Sequence, residues 1–195
     1  MSNPSTTQGG VTFAGGATPC AATFSNPASG GAYSAGYSIS NSATAAACLP
    51  LIFPLTRSSG RLTGCRAVVT PASSNLVITA LDFDLLIFKP ATSIPFAAGS
   101  YPADNGAMAI TAAAFGEIVG VFRFSSAAWR NPAGALTAGV TGYQAVTSYS
   151  GRPFEPFNVT GYASMNLLGV VQALGAWTPG AVINQFNFKL DLDSD

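Results

Sequence analysis

Three aspartates in the middle of the chain are the residues whose types and spacing could support metal binding. Asp82 and Asp84 lie two positions apart, so they share one face of any strand that contains them, and Asp104 precedes an asparagine. Carboxylate and amide oxygens suit Ca²⁺, which makes Asp82, Asp84 and Asp104 a candidate calcium site. A solvated strand face explains Asp82 and Asp84 equally well. The sequence lacks the dense acidic loop that is typical of a calcium site, so the calcium hypothesis is the weaker one and we expect no cofactor.

Catalytic constellations are missing from the sequence. The chain has no histidine, which excludes Ser-His-Asp and Cys-His catalysis in their usual form. It also lacks the glycine-rich motifs that cradle phosphates. Glu117 and Glu155 are the only glutamates, and each lies among loop or helix signals rather than in a positioned carboxylate pair. We therefore predict that the protein is not an enzyme.

The charge content restricts the possible partners. Eight Lys and Arg residues balance eight Asp and Glu residues, and the basic ones are scattered singly, which argues against nucleic-acid binding. No apolar run approaches the roughly 18 residues of a spanning helix, so we expect no membrane association. The first ten residues do not resemble a secretory signal, so we expect the protein to be synthesised in the cytoplasm. Charged residues make up 8% and apolar residues 48% of the chain, which predicts a homo-oligomer with much of its surface against protein.

Cysteine usage indicates a reduced protein. Cys20, Cys48 and Cys65 are odd in number and have no CxxC spacing, so we predict three free thiols.

The first 32 residues differ in texture from the rest. They are small, polar and rich in glycine, and they cannot bury enough apolar area to fold alone. We predict either a flexible tail or an extended arm at 1–32 that orders on a partner, with Val11, Phe13 and Phe24 as its apolar anchors. The domain proper is then 33–195.

Alternation of apolar and polar residues predicts strands through the remainder. Phe83, Leu85 and Ile87 form a buried face, with Asp82 and Asp84 at its wet margin. The other predicted elements are an edge strand at 51–53, a hairpin at 60–81, a short helix at 111–117 capped by Thr111, and strands at 118–124, 143–149, 157–162, 165–173 and 181–192. This pattern favours an all-β fold: an antiparallel β-sandwich, of jelly-roll type, with an extended N-terminal arm and at most one short helix.

The order of motifs is similar to that of a known family. The segments are YSAGYSIS at 33–40, GRLTGCRAVV at 60–69, DFDLLIFKP at 82–90, ADNGA at 103–107, IVGVFRF at 118–124 and LLGVVQALGAWTP at 167–179. In this order they resemble tailed-bacteriophage virion proteins of the head decoration or cement type. The resemblance implies a β-sandwich on the capsid surface of a virion, made in the host cytoplasm, bound to capsid or other virion proteins and trimeric by analogy. It brings no catalytic residues.

Two alternatives remain open at this stage. The chain could be a shell-forming or tail-appendage jelly roll of such a particle. It could also be a carbohydrate-binding β-sandwich, with Trp129, Trp177, Tyr143 and Tyr149 as stacking candidates.

Overall fold

Ten strands, one short α-helix and two single-turn 3-10 helices, at Ala45–Ala47 and Ser126–Ala128, make up the regular structure in the part of the chain that the structure describes. This computed structural model describes residues 20–27, 31–71, 81–90, 96, 99–129, 143–148, 155–178 and 184–193, with the backbone alone at 71, 143–148 and 155. The elements are β1 (Ala21–Asn26), β2 (Ser38–Ile39), β3 (Leu51–Pro54), β4 (Ser59–Pro71), β5 (Phe83–Phe88), α1 (Ala112–Phe115), β6 (Ile118–Phe124), β7 (Tyr143–Ser148), β8 (Glu155–Asn158), β9 (Asn166–Ala173) and β10 (Asn184–Asp193).

The strands form two five-stranded antiparallel sheets. Sheet 1 has the order β1-β10-β4-β7, and β8 also pairs with β4. Sheet 2 has the order β2-β9-β5-β6, and β3 also pairs with β9. The predicted all-β antiparallel sandwich is confirmed.

The main core lies between the two sheets. Each strand contributes alternate residues, so β10 buries Phe186, Phe188 and Leu190 while the intervening side chains face outward. The ring of Phe83 on β5 packs edge-on against Phe186 and Phe188, at centroid distances of 6.0 and 5.9 Å. Each of these burials stabilises the fold by about 1.5–3 kcal/mol, so the facing aromatic rows hold the sheets together.

Strand β5 is buried on both faces. Leu86 and Phe88 point away from the main core into a second apolar cluster, where Phe96 and Ala114 cover them. The long crossing between β5 and β6 thus folds back over the outer face of sheet 2. The predicted wet margin is therefore wrong for Asp84, which is only 7% exposed.

Most predicted elements occur close to their expected positions. Thr111 caps the short helix by accepting a hydrogen bond from the Ala114 backbone N–H, as predicted. Strand β8 comes earlier than the predicted 157–162, because Asn158 accepts a hydrogen bond from the Thr160 N–H and Gly161 adopts φ +89°, which turns the chain. The second half of the predicted 60–81 hairpin falls mainly on 72–80, outside the described residues.

The N-terminal boundary differs from the prediction. Residues 21–26 form β1, which pairs with β10 over six positions from Ala21↔Lys189 to Asn26↔Asn184. The described part of the predicted arm is therefore an edge strand of the sandwich. Local composition could not reveal this, because the strand is stabilised by a partner more than 150 positions away in the chain.

Candidate functional site

A buried polar cluster surrounds Asp104. Its carboxylate accepts hydrogen bonds from the Tyr33 hydroxyl at 2.6 Å, from Asn26 Nδ2 at 2.7 Å and from the Ser40 backbone N–H at 2.9 Å. Asp104 is 8% exposed, Tyr33 1% and Asn26 0%. Buried charge is tolerated only with such partners, so the cluster joins β1, the segment before β2 and the long crossing into one unit.

The turn after Asp104 fixes the position of its carboxylate. Asn105 has a positive φ of 56°, and the Gly106 N–H donates to the Ala103 carbonyl at 2.9 Å. The turn docks on β2 because Ser38 donates to the Gly106 carbonyl at 2.8 Å and accepts from the Asn105 N–H at 2.9 Å. The ADNGA motif therefore forms a tight turn that presents Asp104 to the interior.

Asp84 belongs to a different arrangement. On β5 it lies opposite Arg123 on β6, and the guanidinium donates from Nε and Nη2 to the two carboxylate oxygens, each at 3.0 Å. This bidentate pairing raises the pKa of Arg123 above its ordinary value, chiefly through the hydrogen bonds to Asp84. The neighbouring Asp82 accepts a hydrogen bond from the backbone N–H of Ser126.

The candidate calcium ligands are thus engaged separately. Asp104 lies beside β2, whereas Asp84 lies on β5, with β9 between those strands. Within the described ranges, no group of three or more His, Cys, Asp or Glu side chains is arranged to hold a metal ion. The pairing of Asp84 with Arg123 also replaces the expected solvated face at that position.

A third polar cluster joins three loops at one end of sheet 2. Tyr162 donates its hydroxyl to Glu117 at 2.8 Å, and the Lys89 ammonium lies 3.6 Å from the same carboxylate and 5.9 Å from the Tyr162 ring centre. The hydrogen bond to Glu117 raises the pKa of Tyr162. These contacts position loops; they do not resemble a base with a nucleophile.

The two tryptophans proposed as sugar-stacking residues lie in the core. Trp177 is 1% exposed and stacks on Tyr33 at 5.3 Å, and Trp129 is 7% exposed and donates its indole N–H to the Leu81 carbonyl at 2.9 Å. Neither ring can therefore stack on a sugar. The side chain of Tyr143 and the whole of Tyr149 lie outside what the structure describes.

Of the three predicted partner-binding anchors, only Phe24 lies within the described residues. Phe24 is half-buried and stacks on Phe186 of its own chain at 5.0 Å with the ring planes 2° apart, so it packs against the core from β1, and its partner-binding role stays a prediction. Val11 and Phe13 lie outside the described residues.

The three cysteines are free and buried. Burial raises the pKa of Cys20 to about 12, and it also raises the pKa of Cys65, where Asp191 and Cys20 add smaller contributions. Cys20 and Cys65 flank Leu190 from opposite sides across β10. Two strand spacings are roughly 9–10 Å, too far for a disulfide without backbone movement.

The surface has two kinds of features that the sequence pattern did not reveal. Among the described residues, five large apolar side chains are exposed: Leu49, Ile52, Phe115, Val121 and Met165. The outer face of sheet 1, in contrast, carries exposed charges on β4 and β10. Only the register of the strands shows which of these charges are neighbours.

A shallow pocket opens between β1 and the β2–β3 edge. It has room for about one water molecule and is lined by Phe24, Ser38, Leu49, Leu51 and Tyr101 among others. The lining is mostly apolar and has no charged side chain, so it offers no group for acid–base chemistry.

Comparison with known proteins adds no relative: no family model matches the chain, and no curated protein matches it either. Among the described residues, no helix has the length and apolar character needed to cross a membrane.

Proposed function

We propose that this protein is a structural protein of a bacteriophage particle, and that it acts as a capsid-binding cement or decoration protein that stabilises the head. Its partners are capsid or other virion proteins, it resides at the capsid surface after synthesis in the host cytoplasm, and it works as a homo-oligomer rather than as an enzyme. The motif order from 33 to 179 suggests this role, and the strand order of the two sheets is the observation that carries it furthest.

The strand order supports a jelly roll. β2 and β3 both pair with β9, and β7 and β8 both pair with β4, so each pair occupies one position and the ten strands fill eight. We number these positions in chain order, with β2 and β3 at position 2, β7 and β8 at position 6, and β10 at position 8. Sheet 1 then has the order 1-8-3-6 and sheet 2 the order 2-7-4-5. Positions 1 and 8, 2 and 7, 3 and 6, and 4 and 5 are neighbours, as in one long antiparallel ribbon wrapped into two sheets. Viral capsid domains and lectins use such double-sheet rolls.

The side-chain evidence favours a protein partner over a small substrate. Four of the described carboxylates accept a hydrogen bond from the protein itself, namely Asp82, Asp84, Asp104 and Glu117, whereas Asp191 and Asp193 are exposed on β10. The exposed apolar side chains, of which Leu49 at 70% and Phe115 at 61% are examples, are suited to burial against a protein surface. In the N-terminal segment, Val11 and Phe13 remain the predicted anchors for a neighbouring virion protein.

A second candidate function is a shell-forming subunit of the same kind of particle. The eight-position strand order favours it, because jelly-roll domains build viral shells as well as attach to them. The carbohydrate-binding alternative loses the support of its two tryptophans, which are buried, and rests on Tyr143 and Tyr149 alone.

Electron microscopy and binding to particles separate these roles. The chain is expressed alone and fractionated by size, and its binding to phage heads from the same source is then measured by co-sedimentation. Small oligomers that bind saturably to heads are expected for a cement protein, whereas closed shells without other capsid protein would favour the shell-forming role. Failure to bind heads, together with absence from purified particles by mass spectrometry, would contradict the proposal.

A further inference from the structure

The outer face of sheet 1 carries a row of like charges. Arg66 on β4 and Lys189 on β10 are register partners, and both side chains are exposed. Within the described part of the chain, neither forms an ion pair; the two ion pairs there are Lys89–Glu117 and Arg123–Asp84. Like charges directly opposite each other destabilise a sheet, so Arg66 and Lys189 repel each other in the isolated chain.

Acidic side chains follow on the same face of β10. Asp191 lies opposite Gly64, and Asp193 lies opposite Arg61, with a register irregularity between Asp191 and Leu192. Asp191 and Asp193 are both exposed. Along β10 the outward positions therefore change from basic to acidic within one pleat repeat, about 6–7 Å.

This arrangement is complementary to itself. Consider a two-fold axis in the plane of the interface that crosses β10 at a right angle between Lys189 and Asp191. Rotation about this axis puts each Lys189 over the Asp191 of a second copy. The same rotation stacks the two sheets with their strands aligned, which is a normal way for sheets to pack. A two-fold interface uses the same patch on both subunits, so the patch must be self-complementary, as this one is.

We propose that the outer face of sheet 1, formed by β1, β10 and β4, is a two-fold interface with a second copy of this chain. The occupant is chosen by charge: a partner needs an acidic group over Lys189 and a basic group over Asp191, and the chain itself provides both at the required spacing. The ten residues of β10 and the width of three strands give a face of roughly 30 by 14 Å, on the order of 400 Å² per copy, which is the size of a weak or transient interface. Electrostatic complementarity then sets the register of the two copies and makes their association sensitive to salt.

The proposal does not depend on the particle, because the association takes place between free copies. It differs from the trimer expected by analogy, since a two-fold contact closes with two subunits.

Charge reversal at two positions tests the geometry in the full chain. The variants are Lys189→Asp, Asp191→Lys and the combined Lys189→Asp/Asp191→Lys, studied by sedimentation equilibrium in low and high salt. We expect a wild-type dimer whose Kd rises at least tenfold in high salt, and each single variant should weaken it at least tenfold. The combined variant retains the wild-type net charge and restores complementarity across the axis, so it should dimerise within about threefold of wild type.

The control swaps an ion pair on the other side of the sandwich. Lys89→Glu/Glu117→Lys keeps the net charge and should leave the dimer Kd unchanged. Circular dichroism checks that every variant is folded, which the exposure of Lys189 and Asp191 favours for the charge-reversal variants. The proposal would be overturned by a monomeric wild type, by single variants that dimerise normally, or by a combined variant that dimerises as weakly as the single ones. A trimer unaffected by any of these changes would also overturn it.

Discussion

Tyr33 and Asp104 show how one hydroxyl can hold distant segments together. The Tyr33 Oη lies 2.6 Å from the Asp104 carboxylate, and 2.9 Å from Asn26 Nδ2. All three side chains are buried, so water cannot replace a missing donor without a rearrangement. The fold should therefore be sensitive to the loss of this single oxygen atom.

We predict that Tyr33→Phe lowers the free energy of unfolding by about 1.5–3 kcal/mol, the range for a hydrogen bond to a charged group. Urea unfolding at neutral pH measures the change. Tyr37→Phe is the matched control, because it removes the same hydroxyl four residues away, from a half-buried ring, and should cost less than about 0.5 kcal/mol. Equal effects of the two substitutions would show that the Asp104 cluster does not contribute as described.

Gly169 is a second position where one atom matters. A Cβ there would lie 2.7 Å from Phe53 Cε2 and 3.1 Å from Leu51 Cβ, both on the adjacent strand β3. We predict that Gly169→Ala destabilises the protein by about 1–3 kcal/mol through overpacking. Gly175→Ala is the control, since nothing lies within 4 Å of its Cβ, and thermal and urea unfolding should show it as neutral or slightly stabilising. A neutral Gly169→Ala would mean that β3 shifts away without cost.

The buried thiols connect stability to alkaline pH. Cys20 has a folded-state pKa of about 12, above the roughly 8.5 of a thiol in the unfolded chain, so the folded protein retains a proton that the unfolded chain releases. The contribution of the protonated Cys20 thiol to the free energy of unfolding is fully present below about pH 8.5. It is lost as the pH rises towards 12, by about 1.4 kcal/mol per pH unit. We predict that the free energy of unfolding of Cys20→Ala, measured between pH 9 and 10.5, falls less steeply with pH than that of wild type, by about 1.4 kcal/mol per pH unit. Parallel profiles of wild type and variant would contradict it.

At the scale of elements, β1 is the strand that changes the interpretation of the N-terminus. It lies at the edge of sheet 1, and Phe24 and Asn26 fasten it to the Phe186 ring and to the Asp104 cluster. An edge strand joined to the sandwich at two points behaves as part of the domain and not as a detachable arm.

Two truncations test this boundary. Deletion of residues 1–27 removes β1 and should lower the free energy of unfolding by at least about 3 kcal/mol, from the lost Phe24 packing and the lost Asn26 donor. Deletion of residues 1–19 retains β1 and is expected to leave the melting temperature unchanged while weakening particle binding at least tenfold. Differential scanning calorimetry and head co-sedimentation measure the two effects. A melting temperature unaffected by the longer deletion would contradict the role of β1.

At the scale of the whole molecule, the two outer faces of the sandwich differ in character. Sheet 2 is covered by its own β5–β6 crossing, which buries Leu86 and Phe88, whereas sheet 1 shows the charged side chains of β4 and β10 to solvent. Among the described charged side chains, five are exposed on sheet 1 and one on sheet 2: Arg61, Arg66, Lys189, Asp191 and Asp193 on the former, and Arg123 on the latter. Such an asymmetry is expected of a subunit that contacts different neighbours through different faces.

The fold is also expected to be independent of added metal. Asp84 is neutralised by Arg123 and Asp104 is surrounded by protein donors, so a structural cation is not needed at either carboxylate. We predict that EDTA changes the melting temperature by less than about 1 °C, because no metal-binding free energy would then be linked to folding. A decrease of several degrees, reversed by Ca²⁺ but not by Mg²⁺, would refute this.

The amino-acid sequence by itself determined the class of the fold and the position of most strands. Alternation in β10 and β6 and the Thr111 cap are local signals, because side chains two residues apart face the same side and a cap acts within one turn. Only the tertiary structure decided which residues are partners. The Asn26–Tyr33–Asp104 cluster, the burial of β5 on both faces, the attachment of β1 and the charged row across β4 and β10 all depend on pairing between residues distant in the chain. Local propensity does not specify such pairing, since the strands that meet are selected by the packing of the whole core.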